Sequence, residues 1–143
     1  MMTTLSWQLW ALLSATFAAL TAIFAKIGVE NVNADVATFV RTLVIVAVLA
    51  GILIFTGEYR APGDFSARTV TFLILSGLAT GASWLCYFRA LQLGDASRVA
   101  PIDKLSVVLV ALIGATFLGE RLSPANWAGI ALIAAGAILV GLR

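Results

Sequence analysis

The stretch from Val36 to Thr56 reads VATFVRTLVIVAVLAGILIFT and carries a single charged residue, Arg41. The hydrocarbon core of a bilayer is about 30 Å thick, and a helix crosses it with roughly 20 mostly apolar residues. This run has that length. It is about twice as long as the strand of a membrane barrel, and its apolar residues do not alternate with polar ones. Backbone hydrogen bonds must close internally in lipid, so the run is expected to be a helix.

The same pattern recurs on both sides of it. Leu5–Ala25, Thr69–Phe88 and Leu122–Leu142 contain no charge, and Val99–Gly119 contains only Asp103 and Lys104. The expected fold is all-α: a polytopic membrane protein whose transmembrane helices cover about 5–26, 36–56, 69–91, 98–118 and 124–142 of one domain, 1–143. The separators read as helix ends. Gly28 closes the first span, and Gly57–Asp64 is a polar loop with a Pro62-Gly63 break. Gly94–Ser97 ends the third span and offers caps for the fourth, while Ser123-Pro124 places serine at an N-cap and proline at the first helical position. Connections this short make sequence neighbours antiparallel neighbours in the membrane.

Composition agrees. Of 143 residues, 62% are hydrophobic and 11% charged, against about 25% charged in an ordinary soluble domain. A soluble chain of this length buries only about two thirds of its surface, which would leave much apolar area in water. A net charge of +2 without a basic run or aromatic–basic interleaving gives no reason to expect a nucleic-acid partner. Histidine is absent, which removes the commonest general base and metal ligand. No nucleophile–base set stands out, so neither an enzyme nor a metal or cofactor site is expected. The lone Cys86 reads as a small hydrophobe. Met1–Thr4 lacks the basic region of a cleavable leader, and the first apolar run is too long for one, so it is expected to remain as a span.

Ionisable residues inside spans are functional candidates because they are expensive there. These are Lys26, Arg41, Arg89, Asp103 and Lys104. With alternating helix directions all of them fall toward one membrane face. Lys26, Arg41 and Arg89 read equally as snorkelling cations near helix ends. Asp103 is too short to snorkel well and lies roughly 9 Å into its helix from Ser97. Lys104 points about 100° away from it, so its expected partners are on other helices, Arg41 or Arg89.

Two stripes accompany the charges. Ser76, Thr80, Ser83 and Tyr87 form a polar face of the third span; Trp7, Trp10, Ser14, Phe17, Thr21 and Phe24 form an aromatic and hydroxyl face of the first. Either lines a solute cavity or packs helices together, and Trp7 and Trp10 also suit an interfacial aromatic belt. The last span carries Gly129 and Gly136 beside Ala128, Ala131 and Ala135, a surface for close helix approach. Gly77 and Gly81 form a similar pair in the third span.

The segment Ser83–Ser97, with Tyr87-Phe88-Arg89-Ala90-Leu91 inside it, is followed by Pro101-Ile102-Asp103-Lys104-Leu105-Ser106, then by Gly119-Glu120-Arg121-Leu122, Trp127, Gly129 and Gly136. Together these resemble the EamA type of the drug/metabolite transporter superfamily, in its small five-helix bacterial and archaeal branch. Arg41 matches a common arginine of that repeat. The resemblance covers essentially the whole chain. It implies a secondary transporter of small organic metabolites or drugs in the cytoplasmic (inner) membrane, working by alternating access.

The usual member of this superfamily contains two inverted repeats, whereas this chain resembles one. Two copies in opposite orientations can imitate the inverted pair, so a homodimer, antiparallel in arrangement, is the expected partner beside the solute and the bilayer. Charge bias leaves orientation open. Arg60, Arg68 and Arg121 lie on one side and Arg98 and Arg143 on the other, and counting Lys26, Arg41, Arg89 and Lys104 reverses the balance. Asp103, Lys104, Arg41, Arg89 and Lys26 are the expected gate or ion-pair residues, and Trp84, Tyr87 and Trp10 the expected solute contacts. The alternative is a non-transporting membrane scaffold or accessory subunit whose charge cluster is structural.

Overall fold

A computed structural model of the chain describes residues 6–58 and 65–142. Leu5, Arg60, the Pro62-Gly63 break and Arg143 lie outside the described residues. Every regular element described is a helix: α1 (Trp7–Gly28), α2 (Ala34–Thr56), α3 (Ala67–Leu93), α4 (Ala96–Asp103), α5 (Ser106–Phe117) and α6 (Pro124–Gly141). Among the described residues five stretches are long and apolar enough to cross a bilayer: α1, α2, α3, α6 and the run Ala96–Phe117 that takes in both α4 and α5. The bounds of these stretches lie within two residues of those expected.

Local chemistry sets the ends. Asn33 caps α2, its side chain accepting from the Asp35 and Val36 amides at 2.8 and 3.4 Å. Gly57 closes the same helix at φ 67°, a left-handed conformation that glycine adopts without steric cost. Ser123 caps α6 through the Asn126 amide at 3.2 Å, with Pro124 opening the helix as expected. Asp95 stands at the N-cap of α4 in extended backbone but makes no side-chain capping bond.

The fourth span departs from expectation because it is broken. Pro101 has no N–H to donate to the Ser97 carbonyl, and its ring crowds that turn. The chain winds on to Asp103 and then tightens. Lys104 N donates to Pro101 O at 3.1 Å, Leu105 N to Ile102 O at 3.0 Å, and Val107 N to Lys104 O at 3.0 Å. These i→i−3 bonds form a short 3₁₀ link between α4 and α5.

The chain forms two compact units. One contains α1 as far as Lys26 together with everything from Leu93 onward; the other is Ile27–Gln92. In the first, α4 and α5 both pack on α6. Arg98 Nη2 approaches the Gly141 carbonyl at 3.5 Å, and a Cβ added to Gly141 would stand 2.9 Å from Ile102 Cδ1, so an alanine there would require the end of the Ile102 side chain to shift. In the second unit, the start of α2 meets the last turns of α3.

Buried apolar residues are mostly small: Ala22, Ala34, Ala111 and Ala137, with Val29, Phe88 and Leu91. Small residues at helix contacts are the membrane pattern, where close backbone approach replaces hydrophobic collapse. The large side chains face outward along all the spans, Phe55 and Phe117 among them. Such a surface in water would be an aggregation hazard; in lipid it meets its solvent.

Candidate functional site

In the unit Ile27–Gln92 the site is built on facing stripes of α2 and α3. Ala34 and Thr38 are buried on α2, and Arg41 and Thr42 continue their face at helical spacing, both half-buried. Thr38 Oγ1 donates to Ala34 O and Thr42 Oγ1 to Thr38 O, each at 2.8 Å, so the hydroxyl protons on this face are spent on the helix's own backbone. On α3 the facing stripe is Trp84, Phe88 and Gln92, four residues apart, with Phe88 and Leu91 buried. The Arg41 guanidinium lies over the Trp84 ring at 4.1 Å from its centroid and 5.3 Å from that of Phe88. Contacts of this type contribute about 0.5–2 kcal/mol, more as water is excluded.

Around this contact the ends of the helices are tied. Gln92 Nε2 donates to the Val29 and Val32 carbonyls at 3.2 and 2.6 Å, pinning the loop between α1 and α2 to the end of α3. Arg89 pairs with Asp35 at 3.9 Å, with more than half of each side chain exposed. Tyr87 is half-buried beside Phe88 in sequence. Farther toward the α3 start, Ser76 and Ser83 are exposed and Thr80 Oγ1 bonds back to Ser76 O at 2.8 Å, so that hydroxyl stripe lies off the Arg41–Trp84 contact.

The other unit holds the remaining candidates. Asp103 and Lys104 sit where the fourth span breaks, and Lys104 Nζ reaches Asp103 Oδ2 at 3.2 Å. This corrects the expectation that the two could not pair. The lysine's flexible four-carbon stem bends across the angle that separates neighbouring side chains. Lys26 Nζ donates to the Gly94 carbonyl at 3.0 Å, so it is held by protein rather than extended as a snorkelling cation. Trp10 is exposed on α1 at 60%, as is Trp7 at 75%.

The candidates therefore fall into two groups. Arg41, Trp84, Tyr87 and Arg89 gather on α2 and α3; Asp103 and Lys104 pair with each other, Lys26 binds a carbonyl, and Trp10 stands on an exposed helix face. The cross-helix partners expected for Asp103 are engaged otherwise, Arg41 with rings and Arg89 with Asp35. Asp35, Phe88 and Gln92 join the site without having been singled out from the sequence. Phe88 and Gln92 were readable as the continuation of Trp84 at four-residue spacing, whereas Asp35 lies just ahead of the apolar run that opens at Val36.

Comparison with known proteins adds the following. The EamA-like transporter family matches residues 5–142. The chain is 62% identical over 137 residues to the "uncharacterized transporter in cobO 3′ region" of Sinorhizobium sp, covering 96% of this chain and 97% of that protein. It is 31% identical over 70 residues to the "uncharacterized transporter YwfM" of Bacillus subtilis (strain 168), covering 49% of this chain and 24% of that protein. No solved structure matches the chain.

Proposed function

We propose, for a chain that belongs to the EamA-like transporter family, that it carries small organic metabolites or drugs across the cytoplasmic (inner) membrane by alternating access. Membership in a transporter family sets enzymatic roles aside. The observation that supports this mechanism most is the broken fourth span. A 3₁₀ link with an ionisable pair inside an apolar run costs stability in a bilayer and is worth keeping where a helix must bend or expose backbone to a solute. Arg41 and Trp84 are the proposed contact point for solute, with Arg89, Tyr87, Lys26 and Trp10 as further solute or gate residues. Asp103 and Lys104 are the proposed hinge pair. Both relatives are described as transporters, which favours this reading over a passive scaffold.

The functional unit in this reading is a homodimer of two oppositely oriented copies. Among the described residues five helical stretches are long and apolar enough to cross a bilayer, and a second copy in the opposite orientation would supply the two-fold plan of paired repeats.

The test is a thermal-shift screen of the purified protein against organic anions, cations and zwitterions, followed by counterflow uptake of each stabilising solute into proteoliposomes. Transport predicts that at least one stabilising solute accumulates in exchange for its unlabelled form. Stabilising ligands that never cross would overturn it. Proton coupling through Asp103 is a separable part of the reading: Asp103→Asn is expected to abolish pH-driven uptake and spare counterflow, and unchanged pH-driven uptake removes that part.

A further inference from the structure

We infer that Arg41 presents an oxyanion subsite, and that the transported solute is an organic anion whose carboxylate or phosphate engages the guanidinium while its apolar body lies along Trp84. The inference rests on the transport reading above and adds the class of solute.

Three observations meet at this residue. First, Arg41 follows buried Ala34 and Thr38 on one face of α2 and is half-buried there, with its guanidinium over Trp84 of α3. Second, its contacts are with ring faces: 4.1 Å to Trp84 and 5.3 Å to Phe88. Ring stacking uses the flat face of a guanidinium and leaves its in-plane N–H donors for a planar acceptor. Third, no hydrogen bond or ion pair satisfies those donors among the described residues. Thr38 and Thr42 spend their protons on backbone. Asp35 is turned roughly 120° from Arg41 around the helix and pairs with Arg89 instead.

A guanidinium in a span that has aromatic neighbours but no carboxylate partner among the described residues is only partly compensated, and a ligand that completes the compensation gains affinity there. A carboxylate or phosphate accepting two parallel N–H bonds does so with a defined orientation. A cation would be repelled by the charge, and a neutral amide would leave it unbalanced. The half-buried Trp84 ring beneath the guanidinium also offers an apolar wall for the rest of the solute.

The test uses benzoate with two probes of the same shape, neutral benzamide and cationic benzamidine. Purified protein in phosphate-free maltoside micelles is titrated with each while its melting temperature is followed, and Arg41→Lys and Arg41→Gln are compared with Arg68→Gln as a control cation. The expected result is an at least tenfold preference for benzoate over benzamide, and no binding of benzamidine. The preference should be reduced in Arg41→Lys, lost in Arg41→Gln and kept in Arg68→Gln. Arg41→Lys keeps the charge, so its partial retention guards against a folding defect. Equal binding of benzoate and benzamide, or an unchanged preference in Arg41→Gln, overturns the subsite. If phosphatidylglycerol added to the micelles displaces benzoate competitively, the oxyanion is a lipid phosphate and the solute assignment falls. Counterflow of a neutral solute by the Arg41→Gln protein would leave the transport reading standing while the subsite fails.

Discussion

Gln92 and Arg89 stand on the last turns of α3 and contribute differently. Gln92 bonds two backbone carbonyls, Val29 O and Val32 O, and Val29 is buried. Truncating it removes two hydrogen bonds, each a net contribution of about 0.5–1.5 kcal/mol, while Val29 O keeps the Val32 amide at 3.5 Å. Arg89 and Asp35 are paired at 3.9 Å, each more than half exposed, the arrangement in which removing a partner costs about 0–1 kcal/mol. Thermal melts of Gln92→Ala and Asp35→Asn should therefore separate, with the glutamine variant melting several degrees lower and the aspartate variant close to the parent. Equal melting points would mean that the loop between α1 and α2 is held by something other than Gln92. Gly119 is a second residue-scale case. Its φ of 70° is a conformation that an added Cβ disfavours, so Gly119→Ala should cost about 1 kcal/mol although the space around it is open. Arg41 was legible as a candidate from its charge inside an apolar run. Its ring partners were not, because the azimuth at which α2 faces α3 is a tertiary quantity with no local signature.

At the scale of elements, the spans themselves were readable because bilayer thickness imposes a length and lipid imposes a helix. The interruption between α4 and α5 was not. Proline is tolerated inside membrane helices, so Pro101 announces weakness without saying where the backbone will yield. Here the helix passes Pro101 and gives way at Lys104 and Leu105. If the break is a working hinge, Pro101→Ala should restore a continuous helix, leave the melting temperature unchanged or raise it, and reduce counterflow by about tenfold or more, since proline costs up to ~3 kcal/mol in a helix interior relative to alanine. Full transport by a Pro101→Ala protein with slowed amide exchange at Leu105 and Ser106 would show that the break is dispensable. The polar stripe Ser76–Tyr87 is a case where spacing was legible and its role was not. Regular spacing suggested either a lined cavity or a packing face, and in the structure the Thr80 hydroxyl serves its own helix while Ser76 and Ser83 are exposed.

For the whole molecule, the apolar exterior shows a protein made for lipid, and the small residues of α6 bear on assembly. A Cβ at Gly129 or Gly136 would meet nothing within 4 Å in the chain itself. Packing within one copy therefore does not require these glycines, and a second copy approaching α6 would. If the proposed homodimer forms through α6, Gly129→Leu with Gly136→Leu should leave helical content unchanged and lower the light-scattering mass relative to the parent; an unchanged mass would count against an α6 interface. The most direct test of the claim that one chain is half of a transporter completed by its inverted copy is side-selective labelling. Single cysteines at Asn31 and at Glu58, in a Cys86→Ser background, stand at opposite ends of α2 and can be probed in intact cells with a membrane-impermeant maleimide. The account predicts that each site is labelled from outside in roughly half of the molecules. Full labelling at one site and none at the other would contradict it.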